Sequence, residues 1–235
     1  MADNDNKRDI RTLVSQFRKS DHWAVSMARD LFWIVAVVGG IALALFLICG
    51  TWPAVVTIES QSMIPHMNVG DLVVVVQKDR YGAFETWSDG EKSGRIMFGD
   101  YGDVIIYKPN GLTSIHPIIH RAIQYMDNEP VTEIKGMKLL GNYTPPHPGY
   151  ITWGDNNPRP DQGLNYPGIG IIEPVKEEWV IGKSLFAVPL VGYLPLHIIE
   201  VTIVIIGIMI LHELYLRSQE DKKGKRLNKT GKKKR

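Results

Sequence analysis

Cysteine is nearly absent from this chain: Cys49 is the only one in 235 residues. One cysteine can form no internal disulfide and no cysteine-based metal site, and a position inside an apolar run suits no nucleophile. The fold must therefore hold without covalent staples. A glycine-rich phosphate loop is also missing, and His212-Glu213 lacks the second histidine of a zinc-protease pattern. No cofactor and no metal are expected. No long amphipathic helix pattern occurs between residues 55 and 190. Nor does charge of one sign dominate: the formal net charge is +2, though its distribution along the chain is uneven.

The apolar residues concentrate near the two ends. Leu31 to Gly50 is twenty residues without a charge, enough as a helix to cross a hydrocarbon core of roughly 30 Å. A cleaved signal peptide is the competing reading, but its apolar core is shorter and follows a short basic region. Here thirty residues precede the run, so an uncleaved span is expected. A second candidate, 195–216, has His197 and Glu200 near its start and His212 and Glu213 near its end, where charge costs least. The tail 217–235 carries ten Lys or Arg against two acids, and Lys7, Arg8, Arg11, Arg18, Lys19 and Arg29 precede the first run. The positive-inside rule puts both ends in the cytoplasm. The expected organisation is a cytoplasmic segment 1–30, a span 31–50, an extracytoplasmic domain 51–194, a second span 195–216 and a basic tail 217–235. Beside a membrane helix the tail reads as a topology signal drawn to anionic lipid rather than as a nucleic-acid site. Residues 1–20 and 218–235 are polar enough to be expected disordered.

The middle reads as β. Residues 54–58, 71–77, 102–107 and 117–123 are short β-branched runs bounded by turn residues, with weaker runs at 150–153 and 169–172 and a final strand over 175–186. Their spacing predicts an antiparallel, mainly β domain with a transmembrane helix at each end. Residues 81–98 and 125–150 read as loop insertions between strands.

A serine motif sits just beyond the first run: Ser60-Gln61-Ser62-Met63-Ile64-Pro65. A serine hydroxyl needs an adjacent base, and usually a third group to orient that base. If this stretch is a strand, Ser60 and Ser62 face the same side, so one could attack while the other donates to an oxyanion. A strand-to-turn transition capped by serines is the bland alternative. Arg121 reads as a structural partner for an anionic group. His66, His116, His147, His197 and His212 look weaker than His120 as functional residues.

Four boxes in order carry a family resemblance: Ser60 to Pro65, Gly102-Asp103-Val104-Ile105, Pro117 to Ala122 around His120, and Gly154-Asp155-Asn156-Asn157 followed by Asp161. They resemble type I signal peptidases over about 55–195. A histidine stands where bacterial members carry lysine, as in the archaeal and endoplasmic-reticulum Ser-His-Asp branch. The resemblance implies the signal peptidase/LexA-like β-fold and a membrane-bound serine endopeptidase that removes N-terminal signal peptides after small residues. It implies Ser62 as nucleophile, His120 as general base, Asp161 as the group orienting His120, Asp155 as support, and Ser60 as oxyanion or supporting donor. The two aspartates can exchange roles. Expected partners are signal-peptide-bearing preproteins, the lipid bilayer and the secretion translocon, with no nucleic acid. The expected location is an archaeal-type plasma membrane, ahead of the endoplasmic reticulum. Two alternatives compete. A self-processing regulatory protease on the same fold would generally use a Ser-Lys dyad without membrane spans. A non-catalytic membrane subunit would have lost a catalytic residue, and none is lost here.

Overall fold

A computed structural model of the chain describes residues 23–127, 131–134 and 137–232. Lys7, Arg8, Arg11, Arg18 and Lys19, and the disorder expected for 1–20, lie outside the described residues. Helix α1 (Trp23–Cys49) is 27 residues long, about 40 Å at 1.5 Å per residue. It starts ahead of the apolar run because Trp23 to Asp30 contains no helix breaker.

The strands follow as β1 (Val55–Thr57), β2 (Leu72–Val76), helix α2 (Trp87–Ser93), β3 (Ile96–Met97), β4 (Asp100–Tyr101), β5 (Val104–Tyr107), β6 (Ile118–Met126), β7 (Val131–Ile134), β8 (Met137–Tyr143), β9 (Gly149–Trp153), β10 (Asn165–Tyr166), β11 (Gly170–Ile171) and β12 (Val180–Val188). One antiparallel six-stranded sheet runs in the order β1-β2-β12-β5-β6-β9. β12 and β5 form its centre, with the β-branched β2 on the other side of β12; all four residues of β5 are buried. Below the serine motif, Ile58, Met63, Met67, Val73 and Val104 form one core cluster. Truncating a buried methionine there would cost about 2–5 kcal/mol.

Several expectations need correction. Residues 81–98 are not a plain loop. Thr86 and Asp89 cap α2 reciprocally, Thr86 accepting from the Asp89 amide at 3.3 Å and donating to its carboxylate at 2.6 Å. The β3–β4 hairpin follows. Residues 125–150 hold the end of β6, the β7–β8 hairpin and the start of β9. The last strand starts at Val180 because Glu177–Trp179 tightens into a 3-10 turn, and Val175 makes only an isolated bridge to Tyr150.

After a single turn, α3 (Tyr193–Leu196), the chain enters α4 (Ile198–Lys232). Its first 19 residues, Ile198–Leu216, form the apolar part. Both this part and Val25–Cys49 are long and apolar enough to cross a membrane, and the most apolar stretch of each is not covered by the β domain. The helix runs on through Lys232, where disorder was expected. Lys, Arg, Glu and Gln are good helix formers, and extending an existing helix needs no new nucleus.

Candidate active site

Ser62 lies in a tight turn rather than on a strand. The turn is closed by bonds from the Ile64 amide to the Gln61 carbonyl (3.2 Å) and from the His66 and Met67 amides to the Met63 carbonyl (2.9 and 3.0 Å). Met63 and Met67 are buried and anchor it. The turn still brings the two serines together: their Oγ atoms are 3.1 Å apart.

The Gly154–Asn157 turn grips this loop from the other side. The Asn156 amide donates to the Ser62 carbonyl at 2.8 Å, and its side-chain Nδ2 donates to the Gln61 carbonyl at 3.1 Å. Gly154 is the closest approach. A Cβ added there would lie 2.8 Å from His120 Nε2, 2.8 Å from the Ser62 carbonyl oxygen and 2.7 Å from Asn157 Nδ2. Only a residue without a side chain fits between the imidazole and the serine loop.

His120 and Arg121 are neighbours on β6, so their side chains leave opposite faces of the sheet. That alternation separates the two aspartates. On one face, His120 Nδ1 meets Asp161 Oδ2 at 2.6 Å, both side chains buried. The same oxygen accepts from Thr152 Oγ1 at 2.7 Å and Tyr107 Oη at 3.1 Å, and Tyr166 Oη reaches Oδ1 at 3.5 Å. Gln162 donates to Thr152 Oγ1 at 3.1 Å, which leaves the Thr152 proton for Asp161. Burial, followed by the nearby Asp161 carboxylate, pushes the Tyr107 phenol well above its ordinary pKa. It therefore remains a donor.

On the other face, Arg121 grips Asp155 with two donors, Nε to Oδ1 at 2.9 Å and Nη2 to Oδ2 at 2.6 Å. Its Nη1 donates to the carbonyls of Met97 (2.9 Å), Gly102 (3.0 Å) and Tyr101 (3.1 Å). His66 Nδ1 meets Asp155 Oδ2 at 2.7 Å. The expected structural role of Arg121 thus has its carboxylate.

The structure joins His120 to Asp161 and Ser60 to Ser62. Among the hydrogen bonds of the described residues, none links Ser62 to His120 and none links Asp155 to His120. Both Ser62 and His120 line one apolar cleft of about 680 Å³, together with Ser60, Ile58, Ile118, Ile169, Pro195 and Leu196. The last two belong to α3, so the cleft reaches the start of the second apolar helix. His66, Tyr107 and Thr152 are additions to the predicted set. Each is an ordinary strand or turn residue by local pattern, and only the tertiary contact marks it.

No protein-family model matches the chain. Over 93 residues it is 37% identical to the signal peptidase complex catalytic subunit SEC11 of Schizophyllum commune, a match covering 39% of this chain and 45% of that protein. The match spans less than half of either protein, and across it the chain is similar to a signal peptidase catalytic subunit, the relationship to which its boxes pointed.

Proposed function

We propose that this chain is a membrane-bound serine endopeptidase that removes N-terminal signal peptides from exported preproteins, cutting after small residues. The observation that carries the reading is the buried 2.6 Å contact of His120 with Asp161, opening on the apolar cleft that also holds Ser62. The likeness to the signal peptidase complex catalytic subunit of Schizophyllum commune supports the same chemistry. With Nδ1 engaged, Nε2 is left on the side of Gly154 and the Ser62 carbonyl.

The Ser62 hydroxyl turns from Ser60 toward Nε2 and gives that nitrogen its proton as Oγ adds to the scissile carbonyl carbon. Asp161 stabilises the imidazolium so formed. The new oxyanion accepts from the Ser62 backbone N–H and the Ser60 hydroxyl. Collapse breaks the C–N bond, and His120 returns the proton to the leaving amine. Water then adds to the acyl-serine ester by the same route, releasing the carboxylate and restoring Ser62. Asp155 acts at a distance: fixed by Arg121 and His66, it holds the turn that grips the Ser62 loop. Shallow apolar walls admit small side chains on the substrate.

Residues 1–30 and 217–235 lie in the cytoplasm, 31–50 and 195–216 cross the bilayer, and 51–194 stand outside. The substrate's own signal segment, delivered by the secretion translocon, is anchored in the same bilayer. That tethering raises its effective concentration at the cleft. The Schizophyllum commune relative lends no support to an archaeal-type plasma membrane over the endoplasmic reticulum. Fractionation against markers of each membrane assigns the compartment.

The test is cleavage of a model preprotein by the full-length protein in detergent. Ser62→Ala and His120→Ala should each lower the rate by about 10⁴–10⁶. Undiminished cleavage by Ser62→Ala would show that the nucleophile lies elsewhere. No cleavage by any folded form would favour a missing partner or the non-catalytic subunit.

A further inference from the structure

The last four carbonyls of a helix have no partner within it. At the end of α1 all four are met. The Gly50 amide, at φ +73°, donates to the Phe46 carbonyl at 2.8 Å, a left-handed helix stop. The other three bonds come from one short segment of the β domain. Arg80 Nη2 donates to the Leu47 carbonyl at 2.7 Å, Tyr81 Oη to the Ile48 carbonyl at 2.9 Å, and the Gln77 amide to the Cys49 carbonyl at 2.9 Å. A cation at a helix C-terminus also opposes the helix dipole favourably.

The junction is packed as well as bonded. Cys49 is buried with Ala54 and Val76, and Thr51 Oγ1 donates to the Ile181 carbonyl of β12 at 2.7 Å. A Cβ at Gly50 would lie 2.5 Å from Arg80 Nη1. Tyr81 holds φ +58°, a conformation costly for a bulky side chain and retained only where its surroundings over-determine it. The Arg80 guanidinium lies over its ring, 5.7 Å from the centroid.

We propose that Arg80 and Tyr81 are positioning residues that lock the β domain to the first membrane helix and thereby select the bond that is cut. This rests on the signal peptidase reading above. A substrate held in the same bilayer presents its bonds at successive heights, about 3.3 Å per extended residue. A loose tether would let the cleft sample several neighbouring bonds. A helix end with three of its last four carbonyls held by the catalytic domain sets one height and one tilt, so a single bond meets Ser62. Side chains that never touch substrate then contribute to specificity.

The test uses full-length protein in liposomes and a preprotein with a run of alanines across the cleavage region, so that pockets alone do not choose the bond. The new N-termini are read by mass spectrometry. Wild type should cut mainly one bond. Arg80→Gln/Tyr81→Phe should divide the product among neighbouring bonds, with the main product falling about threefold, while a short soluble peptide is cut within about twofold of the wild-type rate. Arg80→Lys, which keeps the charge, should restore most of the single-bond selectivity when Tyr81 is intact. Amide hydrogen exchange at Gln77 and Gly50 reads the lock without any activity and should accelerate by about tenfold in the double variant. Wild-type bond choice in the double variant would overturn the proposal, as would unchanged exchange at both amides. A wild type that cuts neither substrate would instead sink the peptidase reading, and the exchange measurement would still decide whether the lock exists.

Discussion

Asp155 and Asp161 are six residues apart in one loop, yet they live in different electrostatic worlds. Asp161 is met by neutral hydroxyls from Tyr107 and Thr152 and by the His120 ring. Asp155 is met by a buried guanidinium in a two-pronged grip. A carboxylate surrounded by neutral donors is held in orientation and keeps its influence for the one group beside it that can take up a proton. A carboxylate clamped by arginine has already spent its charge on structure. The contrast teaches that which aspartate serves the histidine is decided by the partners of each, and that the alternation of His120 and Arg121 along β6 sorts them.

That contrast can be broken at either aspartate. Asp161→Asn should produce the larger catalytic effect, lowering kcat about 10⁴-fold through loss of the tautomer and orientation that His120 needs, with little change in Tm. Asp155→Asn should do the reverse. Breaking the buried pair leaves Arg121 uncompensated and should cost about 3–5 kcal/mol of stability, read by denaturant unfolding. A loss of Tm in Asp161→Asn equal to that in Asp155→Asn would erase the distinction.

Smaller changes sharpen it. Thr152→Val keeps shape and removes one donor from Asp161; it should cost about 1–3 kcal/mol, divided between stability and kcat. The Tyr107 contribution appears in alkali. Its folded-state pKa is raised by burial first and by Asp161 second, so the stability it supplies is complete below its unfolded value of about 10 and is lost as pH climbs above that. Wild type should lose up to about 1.4 kcal/mol per pH unit there from this group, and Tyr107→Phe should show a shallower slope in alkaline unfolding.

Much of this was legible in the sequence, for reasons that differ by residue. The two apolar helices follow from long apolar runs, and β2, β5, β6 and β9 from β-branched stretches between turn residues. Ser62, His120 and Asp161 stood out because chemically useful residues recurred in a known order. His66 did not, because its partner is 89 positions away and only the folded turn brings them together. Tyr107 and Thr152 were hidden for another reason. Every residue of β5 and of β9 is buried, so polar-apolar alternation could not say which face sees the site. The β7–β8 hairpin was masked by the prolines around it, and α2 by glycine, serine and charge, although Thr86 and Asp89 are spaced as a cap.

Gly154 has a consequence for the cell. A side chain there would press on both the imidazole and the Ser62 carbonyl. Gly154→Ala should therefore wedge nucleophile and base apart in a protein that still folds, still inserts and still admits substrate to its cleft. Under the proposed peptidase reading such a chain would be dominant-negative: occupied by cargo it cannot release, and made in excess beside the normal copy, it should cause uncut precursors to accumulate in proportion to its own abundance.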